Sequence, residues 1–391
     1  MSNKNVSIGQ RLTLLLCGVC TVASGALIAP ILPDVVVSTG SEVLTPYAML
    51  LPNLAMMLFA PFIGRLLDIY GRLIFMRIGL LGYALLGSAG YFFVDNIYLL
   101  LSLRFVFGVF TALNMTAIST LVADYFSKDP EGRAKFSGYQ GTFASLSAVI
   151  VIQFGTFMAK IDFRYTFLMY LIGIVFLVLT LVFLHEPIRE ETKGSRVNPN
   201  ERTSFLNGDV ILIFITLGLG MAIYYAAMVY TPFIIHKYTT SASAAGIAIN
   251  LVTGLSAISA FFYGKIKSSR SFDFIYMLCF SLIFLGYIFI GMSDNLTFLY
   301  VGCVVSGLGV GLLMPNSAVR LMTSVNPHVM GAAMGILIAV VFGGNFSAGL
   351  LAAPILPRIG YSGLFLVFGS MGALIALFYG IKSLNGSKIE K

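Results

Sequence analysis

The sequence predicts an all-α membrane protein whose twelve transmembrane helices form two six-helix bundles related by an internal repeat. Composition is the first observation: 58 % of the 391 residues are hydrophobic and only 10 % are charged. A soluble domain carries about a quarter charged residues. Because so few charges cannot cover a surface that faces water, lipid must be the solvent for most of the chain.

The spacing of apolar runs is the second observation. A helix that crosses a bilayer needs about 20 predominantly apolar residues, and twelve runs in the sequence meet this length. No small-residue cleavage site follows the first run, so we expect it to remain on the mature protein. In chain order the runs are 12–33, 46–64, 74–94, 98–123, 136–158, 164–184, 209–235, 244–263, 273–292, 297–319, 329–352 and 361–381.

The third observation is an internal repeat around a polar interruption. Residues 185–208 are rich in charge and contain Gly, Pro and Asn, which is typical of a tether between domains. This linker separates an N-terminal bundle, 1–184, from a C-terminal bundle, 209–391. The segments GVFTALNMTA (108–117) and GLGVGLLMPN (307–316) share a glycine and a methionine at one constant offset. Such a six-plus-six duplication is typical of secondary transporters.

Lysine and arginine determine the predicted orientation. With the N-terminus in the cytoplasm, 19 of the 24 basic residues fall in cytoplasmic segments and four in outer segments, while Arg104 lies within a helix. The positive-inside rule therefore places both termini in the cytoplasm, and we expect a multi-pass protein of the cytoplasmic cell membrane. The net charge of +8 follows from this topology, so no nucleic-acid partner is expected.

The loop between the second and third runs concentrates charge in the stretch GRLLDIYGR, residues 64–72. Gly64 and Gly71 permit the chain to turn sharply at low steric cost. Asp68 is placed to accept hydrogen bonds from backbone amides at the start of the next segment, and Arg72 to pair with an acid on a neighbouring helix. The stretch resembles, position for position, the loop signature G-x-L-x-D-x-x-G-R of the major facilitator superfamily.

The resemblance continues on both sides of the fourth run. LSLRFVFG (101–108) resembles the fourth-helix motif of the family, in which an arginine, here Arg104, lies near the outer end. ADYFSKDPEGR (123–133) is similar to the segment that closes this helix, and it implies that Asp124 and Arg133 join the loop signature in a cytoplasmic network. The gate that the resemblance implies consists of Gly64, Asp68, Gly71, Arg72, Asp124 and Arg133.

Two further segments resemble the twelve-helix drug:proton antiporter branch of this family. They are ALIAPILPD (26–34), at the end of the first helix, and FRYTF (163–167), at the start of the sixth. The fifth helix departs from that branch, because IVIQFG (150–155) stands where exporters carry G-P-x-x-G-G and keeps only Gly155. Gln153 in this stretch either faces the cavity or makes a hydrogen bond between helices.

Charge inside the membrane is costly and is treated as functional by default. Away from the cytoplasmic ends, the predicted helices hold only Asp34 and Arg104. If the first and fourth helices pack as the resemblance implies, Arg104 pairs with Asp34, and this pair couples transport to protons. The alternative is that Asp34, directly after Pro33, is simply solvated at the end of its helix.

The resemblance also implies that substrate binds polar and aromatic side chains on the cavity-lining helices. Asn114 and Asn316, near the middle of the repeat-related fourth and tenth helices, are the preferred candidates. For each candidate, a hydrogen bond between helices is the alternative. A weakly polar, aromatic cavity favours an amphipathic organic molecule over a sugar. The candidate substrate-binding residues are Asn114, Gln140, Gln153, Tyr224, Tyr225, Asn250, Asn316 and Asn345.

The function implied by the resemblance is secondary active transport by alternating access, with proton-coupled efflux of a small organic molecule by a monomer. The alternative is proton-coupled transport of a defined metabolite such as a metallophore, a sugar or a carboxylate. A membrane enzyme or receptor scaffold is a third reading, and no catalytic constellation in the sequence favours it. Without a G-x-x-x-x-G-K-[ST] loop or a cluster of metal ligands, no nucleotide, metal or other cofactor is expected. The expected partners are the substrate, protons and the lipid bilayer.

Overall fold

The protein consists of two compact units, Met1–Ser195 and Arg196–Lys391. The division falls inside the predicted linker, 185–208, of which residues 187–205 lie outside the described part of the chain. The structure, a computed structural model, describes residues 6–127, 129–186, 206–325 and 330–386.

The described residues of the N-terminal unit form six membrane helices. They are α1 (Ile8–Ala26, continued by Leu32–Thr39), α2 (Tyr47–Tyr70), α3 (Arg72–Ser88), α4 (Ile97–Tyr125), α5 (Pro130–Ala159) and α6 (Tyr165–Leu168, continued by Ile172–Phe183). The two parts of α1 are separated by a 3₁₀ turn, Ala29–Ile31. Pro30 and Pro33 account for this break, because neither residue has an N–H to donate to the helical ladder.

The described residues of the C-terminal unit form six more helices. They are α7 (Gly208–Ile235), α8 (Ala242–Lys267), α9 (Phe272–Gly291), α10 (Leu296–Ser324), α11 (Met330–Ala352) and α12 (Leu356–Gly386). Near its start α12 is interrupted at Gly360, whose φ of 64° lies in the left-handed region that glycine adopts without steric cost.

Each of the twelve predicted apolar runs overlaps one helix, which confirms the predicted fold class. In the described part of the chain, eleven helices are long and apolar enough to cross a membrane, and α5 contributes the shorter apolar stretch Leu146–Ala159. The predicted ends were less accurate, and Gly64, which was expected in the turn after the second run, lies inside α2, which continues to Tyr70. The first run was expected to end at residue 33, but helical structure resumes after the proline break and continues to Thr39.

The repeat is visible in the order in which helices pack. In the N-terminal unit α4 packs against α2 and α3, while α1 packs against α5. In the C-terminal unit α10 packs against α8 and α9, while α7 packs against α11. A Cβ added to Gly108 would lie 2.6 Å from the Pro52 backbone, and one added to Gly307 would lie 2.6 Å from the Val252 carbonyl oxygen. Both units therefore use the matched glycine for close approach of helices.

Six of the helices begin at a polar residue whose side chain accepts a hydrogen bond from the first turn, as N-caps do. Ser7 forms a capping box with Gln10 at the start of α1. The same role falls to Asn96 on α4, Asp129 on α5, Asn207 on α7, Ser271 on α9 and Asn295 on α10. The third helix differs, because it follows Gly71, which has no side chain to offer.

Candidate functional site

The predicted cytoplasmic gate contains an ion pair between two helix ends. Arg72, the first residue of α3, lies with its Nε 3.0 Å from Oδ2 of Asp124, near the end of α4. The two side chains are 10 % and 28 % exposed, so water screens this pair less than a pair on the surface. Gly71 has a φ of 102°, which permits the turn between α2 and α3. The side chains of Asp68 and Arg133 lie outside the described part.

Glu186, three residues after the end of α6, supplies the missing cap of α3. Its Oε1 accepts a hydrogen bond of 2.7 Å from the Arg72 amide, and its Oε2 accepts one of 2.9 Å from the Leu73 amide. A carboxylate at a helix N-terminus satisfies free N–H groups and is favoured by the helix dipole. A Cβ at Gly71 would lie 3.3 Å from Oε1 of Glu186, so glycine also keeps this approach open.

His185 connects the same segment to two other helices. Its carbonyl oxygen accepts a hydrogen bond from the Tyr125 hydroxyl at the end of α4, and its ring lies 3.3 Å from the Gln10 amide nitrogen on α1. Sequence reasoning assigned His185 and Glu186 to the linker and missed both contacts. The sequence signal for Glu186 was a carboxylate shortly after a predicted membrane run, and this signal did not identify the amides at the start of α3 as its partners.

The C-terminal unit has an ion pair at the corresponding place with the charges exchanged. Nη1 of Arg320, near the end of α10, donates a hydrogen bond of 2.6 Å to Oδ1 of Asp273, at the start of α9. The Asn316 amide donates to the Phe272 carbonyl at 3.1 Å, and the Tyr276 hydroxyl lies 2.8 Å from the Ser317 hydroxyl. This cluster joins α9 to α10, and sequence reasoning did not identify it.

Arg104 is buried in the N-terminal unit with 1 % of its surface exposed. Its Nε donates to the Ala48 carbonyl at 2.8 Å, its Nη2 to the Ser24 carbonyl at 2.6 Å, and its Nη1 to the Tyr170 hydroxyl at 3.3 Å. The Tyr170 hydroxyl also donates to Ser24 at 2.9 Å. The guanidinium lies 4.4 Å from the centroid of the Phe107 ring. Arg104 therefore joins α4 to α1, to the start of α2 and to α6.

The structure differs here from the predicted pairing of Arg104 with Asp34. The guanidinium nitrogens bond to Ser24, Ala48 and Tyr170, and Asp34 lies ten positions beyond Ser24 on the outer half of α1. The backbone carbonyls of Ser24 and Ala48 act as the acceptors that the prediction assigned to a carboxylate.

Asp34 instead lines an open depression of about 520 Å³ at the predicted outer end of the N-terminal unit, together with Ser38 and Phe163. Beside it, Nη2 of Arg164 donates to both carboxylate oxygens of Asp95 at 2.8 and 2.9 Å. The Ser38 hydroxyl also donates to Asp95. Asp95 is therefore paired with Arg164 in a lining that also contains Asp34.

The two preferred substrate candidates make hydrogen bonds between helices within their own units. The Asn114 amide nitrogen donates to the Cys17 carbonyl on α1 at 3.1 Å, and Asn316 bonds to Phe272. Gly155, the remaining glycine of the fifth-helix motif, accepts a hydrogen bond from the Thr166 hydroxyl at 3.2 Å and lies beside Leu27.

The other candidates lie at different places on their helices. The Tyr224 and Tyr225 rings are neighbours on α7, with centroids 6.5 Å apart, whereas Asn345 is buried on α11. Gln140 and Gln153 lie on α5, half-buried and exposed respectively. Asn250 on α8 is half-buried, and both of its amide atoms are buried without a hydrogen-bond partner among the described residues.

Clusters of His, Cys, Asp and Glu that could hold a metal are absent from the described part of the chain. Repeated helix bundles, paired charges at helix ends and a polar network inside a membrane define the class of secondary transporters. The family model described as Major Facilitator Superfamily matches residues 14–348. The chain belongs to this family, whose members are transporters rather than enzymes.

Known relatives agree with this assignment. The quinolone resistance protein NorA of Staphylococcus aureus (strain COL) is 24 % identical over 327 residues, which cover 79 % of this chain and 82 % of that protein. The riboflavin transporter RibZ of Clostridioides difficile (strain 630) is 25 % identical over 177 residues, covering 45 % of this chain and 39 % of that protein.

Solved structures share the fold at low sequence identity. The nucleoside transporter NupG matches with a TM-score of 0.80 at 12 % identity, covering 95 % of this chain and 98 % of that one. The D-xylose-proton symporter matches with a TM-score of 0.76 at 14 % identity, covering 95 % and 96 %. The protein is therefore a multi-pass membrane transporter of small molecules with the major facilitator fold.

Proposed function

We propose that the protein is a monomeric exporter that exchanges small organic molecules for protons across the cytoplasmic membrane, with both termini in the cytoplasm. The observation that carries this proposal is the similarity to a quinolone resistance protein over 79 % of the chain. Segments 26–34 and 163–167, which resemble the drug:proton antiporter branch, support it. Alternating access, which is typical of secondary transporters, moves the substrate.

A defined metabolite is the second candidate substrate. The similarity to a riboflavin transporter over 45 % of the chain favours it, as does the loss of the exporter motif in α5, where only Gly155 remains. On this proposal the same proton-coupled fold carries one compound, such as a sugar, a carboxylate or a metallophore.

Expression of the chain in an efflux-deficient host separates the two proposals. The exporter proposal predicts that cells accumulate less norfloxacin and ethidium than cells with the empty vector, and that an uncoupler abolishes the difference. Cells are compared in parallel for uptake and release of labelled riboflavin, xylose and citrate. Equal drug accumulation with and without the chain, together with changed movement of one metabolite, would establish the second proposal instead.

The cytoplasmic gate is proposed to hold the inner side of the transporter closed while the outer side is open. The partly buried Arg72–Asp124 pair supports this role, since water and salt screen it less than an exposed pair. Gly64, Asp68 and Arg133 are assigned to the gate on the family resemblance.

Asp34 is proposed to carry the coupling proton. It is the carboxylate on the outer half of a helix that lines the cavity in this family, and it lies in an open depression that water can enter. Arg104 is proposed to support coupling indirectly. It bonds to Ser24 near the end of the first part of α1, Ile8–Ala26, just before the break that leads to Asp34.

A further inference from the structure

Helices α7 and α8 of the C-terminal unit carry two side chains whose polar atoms are buried and have no hydrogen-bond partner among the described residues. They are Thr231, with 1 % of its surface exposed, and Asn250, whose amide nitrogen and oxygen are both buried. A buried polar group without a partner costs about 1–3 kcal/mol. Native structures seldom retain such groups without a functional reason or a bound molecule.

The two side chains lie at the same level of the helix pair. The Thr253 hydroxyl on α8 contacts the Met228 sulfur on α7 at 4.0 Å, which fixes the register of these antiparallel neighbours. Thr231 lies three residues after Met228, and Asn250 lies three residues before Thr253. Because the two helices are antiparallel, both steps run in the same direction along the helix pair and cover almost one turn. Residues three apart share a helix face, so we expect Thr231 and Asn250 to lie near one level of the α7–α8 pair.

Several other hydroxyl and amide groups of this unit have hydrogen-bond partners among the described residues. Thr253 donates to the Ile249 carbonyl at 2.9 Å. Thr216 lies 2.7 Å from the Tyr379 hydroxyl, and Asn316 bonds to Phe272. The lack of partners is therefore not a general property of polar side chains in the C-terminal unit.

Pro232 provides a means of opening the helix pair at this level. Because proline has no N–H, α7 lacks the hydrogen bond that would reach back to the Met228 carbonyl. Helices bend at such positions. A bend at Pro232 would uncover Thr231, the Met228 carbonyl and the Asn250 amide together.

We infer that Asn250, Thr231 and the Met228 carbonyl form a binding subsite for an uncharged planar group that presents a donor beside an acceptor, such as an imide, a lactam or a carboxamide. An asparagine amide offers both a donor and an acceptor in one plane, and a threonine hydroxyl can serve as either. The charged residues of the two helices, Asp209, Lys265 and Lys267, lie at their predicted cytoplasmic ends, so a neutral group is favoured. The inference rests on the proposed transport function and names part of its substrate class.

Thermal unfolding of the purified full-length chain tests the inference without transport. A thiol-reactive dye reports unfolding, because the four cysteines are free and buried. Asn250→Leu and Thr231→Val remove polar groups that lack partners, so each should keep or raise Tm, by up to about 2–4 °C. The matched controls Asn316→Leu and Thr216→Val break existing hydrogen bonds and should lower Tm.

Ligand binding is then measured as a Tm shift with riboflavin, with its analogue methylated on the imide nitrogen, and with nicotinamide. Wild type should be stabilised by riboflavin or nicotinamide, and the methylated analogue should bind about tenfold more weakly than riboflavin, equivalent to about 1.4 kcal/mol. Asn250→Leu should lose these shifts.

Two results would overturn the inference. A fall in Tm in Asn250→Leu equal to that in Asn316→Leu would mean that the Asn250 amide is already bonded in the folded protein. If riboflavin and nicotinamide shift the Tm of neither wild type nor Asn250→Leu, or shift both equally, the Thr231 and Asn250 side chains bind water only. The Tm of the variants and the Tm shift on ligand binding are both measured without a proton gradient. A failure of drug export in cells would therefore leave both results interpretable.

Discussion

Arg104 places a permanent positive charge inside the N-terminal unit, where an unpaired charge would be very costly. Three hydrogen bonds and two aromatic rings offset that cost, and none of the bonds goes to a carboxylate. Arg104, which the family resemblance connects with protons, thus joins α1, α2 and α6 to α4. A transport assay alone cannot distinguish a loss of stability from a loss of proton coupling when Arg104 is replaced.

Replacement of Arg104 tests that structural role. Arg104→Ala leaves the Ala48 carbonyl without its donor and opens a cavity, so we expect a loss of at least about 3 kcal/mol in the free energy of unfolding. Tyr170→Phe removes only the hydroxyl and should cost about 1 kcal/mol. Thermal unfolding of both purified variants measures the difference. An unchanged Tm in Arg104→Ala with lost transport would instead assign the residue to coupling.

Substitution of Asp34 tests the proton-coupling proposal. Asp34→Asn cannot release a proton, so we expect transport driven by a pH gradient in proteoliposomes to fall at least tenfold while substrate still binds. Asp95→Asn is the matched control, because Asp95 lies in the same depression and pairs with Arg164, and this variant should retain most transport. Normal gradient-driven transport by Asp34→Asn would exclude it as the coupling site.

At the scale of helices, each unit joins the start of its third helix to the end of its fourth with one ion pair. The order is Arg72 with Asp124 in one unit and Asp273 with Arg320 in the other. An ion pair has the same function whichever helix carries the positive charge. The exchanged charges explain why comparison of the two halves by sequence did not detect the second pair.

Double-mutant cycles on stability should measure both pairs. Because both are mostly buried, we expect coupling energies of about 1–3 kcal/mol for Arg72–Asp124 and Asp273–Arg320. The pair of Lys382 and Asp209 is the control, since its atoms are 3.9 Å apart and its side chains are 35 % and 69 % exposed; its coupling should be below about 0.5 kcal/mol. Equal coupling for all three pairs would refute this ranking.

Caps give a second comparison between α3 and α9. Ser271 caps α9 from the adjacent residue, whereas Glu186 caps α3 from 114 positions away. Glu186→Ala and Ser271→Ala should each cost about 1 kcal/mol in the free energy of unfolding, and Glu186→Gln should cost less because one oxygen acceptor remains. Thermal unfolding of the three variants is the measurement. No change in Tm for Glu186→Ala would show that its two hydrogen bonds contribute nothing to stability.

At the scale of the whole molecule, residues 185–208 connect the two units, and we propose that most of this segment acts only as a tether. Replacement of residues 192–200 by a Gly/Ser linker of equal length should leave transport within about twofold of wild type, since chain length sets the reach of a flexible linker. Extension of the replacement to include Glu186 should lower stability, because α3 loses its cap. Complete loss of transport in the shorter replacement would assign a specific function to residues 192–200.

The sequence predicted the membrane helices and their duplication because hydropathy and positive charge act over long windows, which tolerate local irregularity. It also predicted that Arg72 would find an acid, and Asp124 is that acid. It failed for Arg104 because an arginine can be satisfied by backbone carbonyls, which have no sequence signature. It missed Glu186 for a related reason: a cap supplied from a distant segment depends on tertiary structure, and local patterns do not encode it.

The distance along the chain between α3 and its cap has a consequence for biosynthesis. Glu186 is made 114 residues after Arg72, which at about 5–20 residues per second corresponds to roughly 6–23 s of translation. During that interval the first turn of α3 must be satisfied by water or by the insertion machinery. The N-terminal bundle therefore acquires its last internal hydrogen bonds only when its final residues are synthesised. A ribosome that pauses shortly before residue 186 would leave a nascent half-transporter with one open helix end, accessible to quality control.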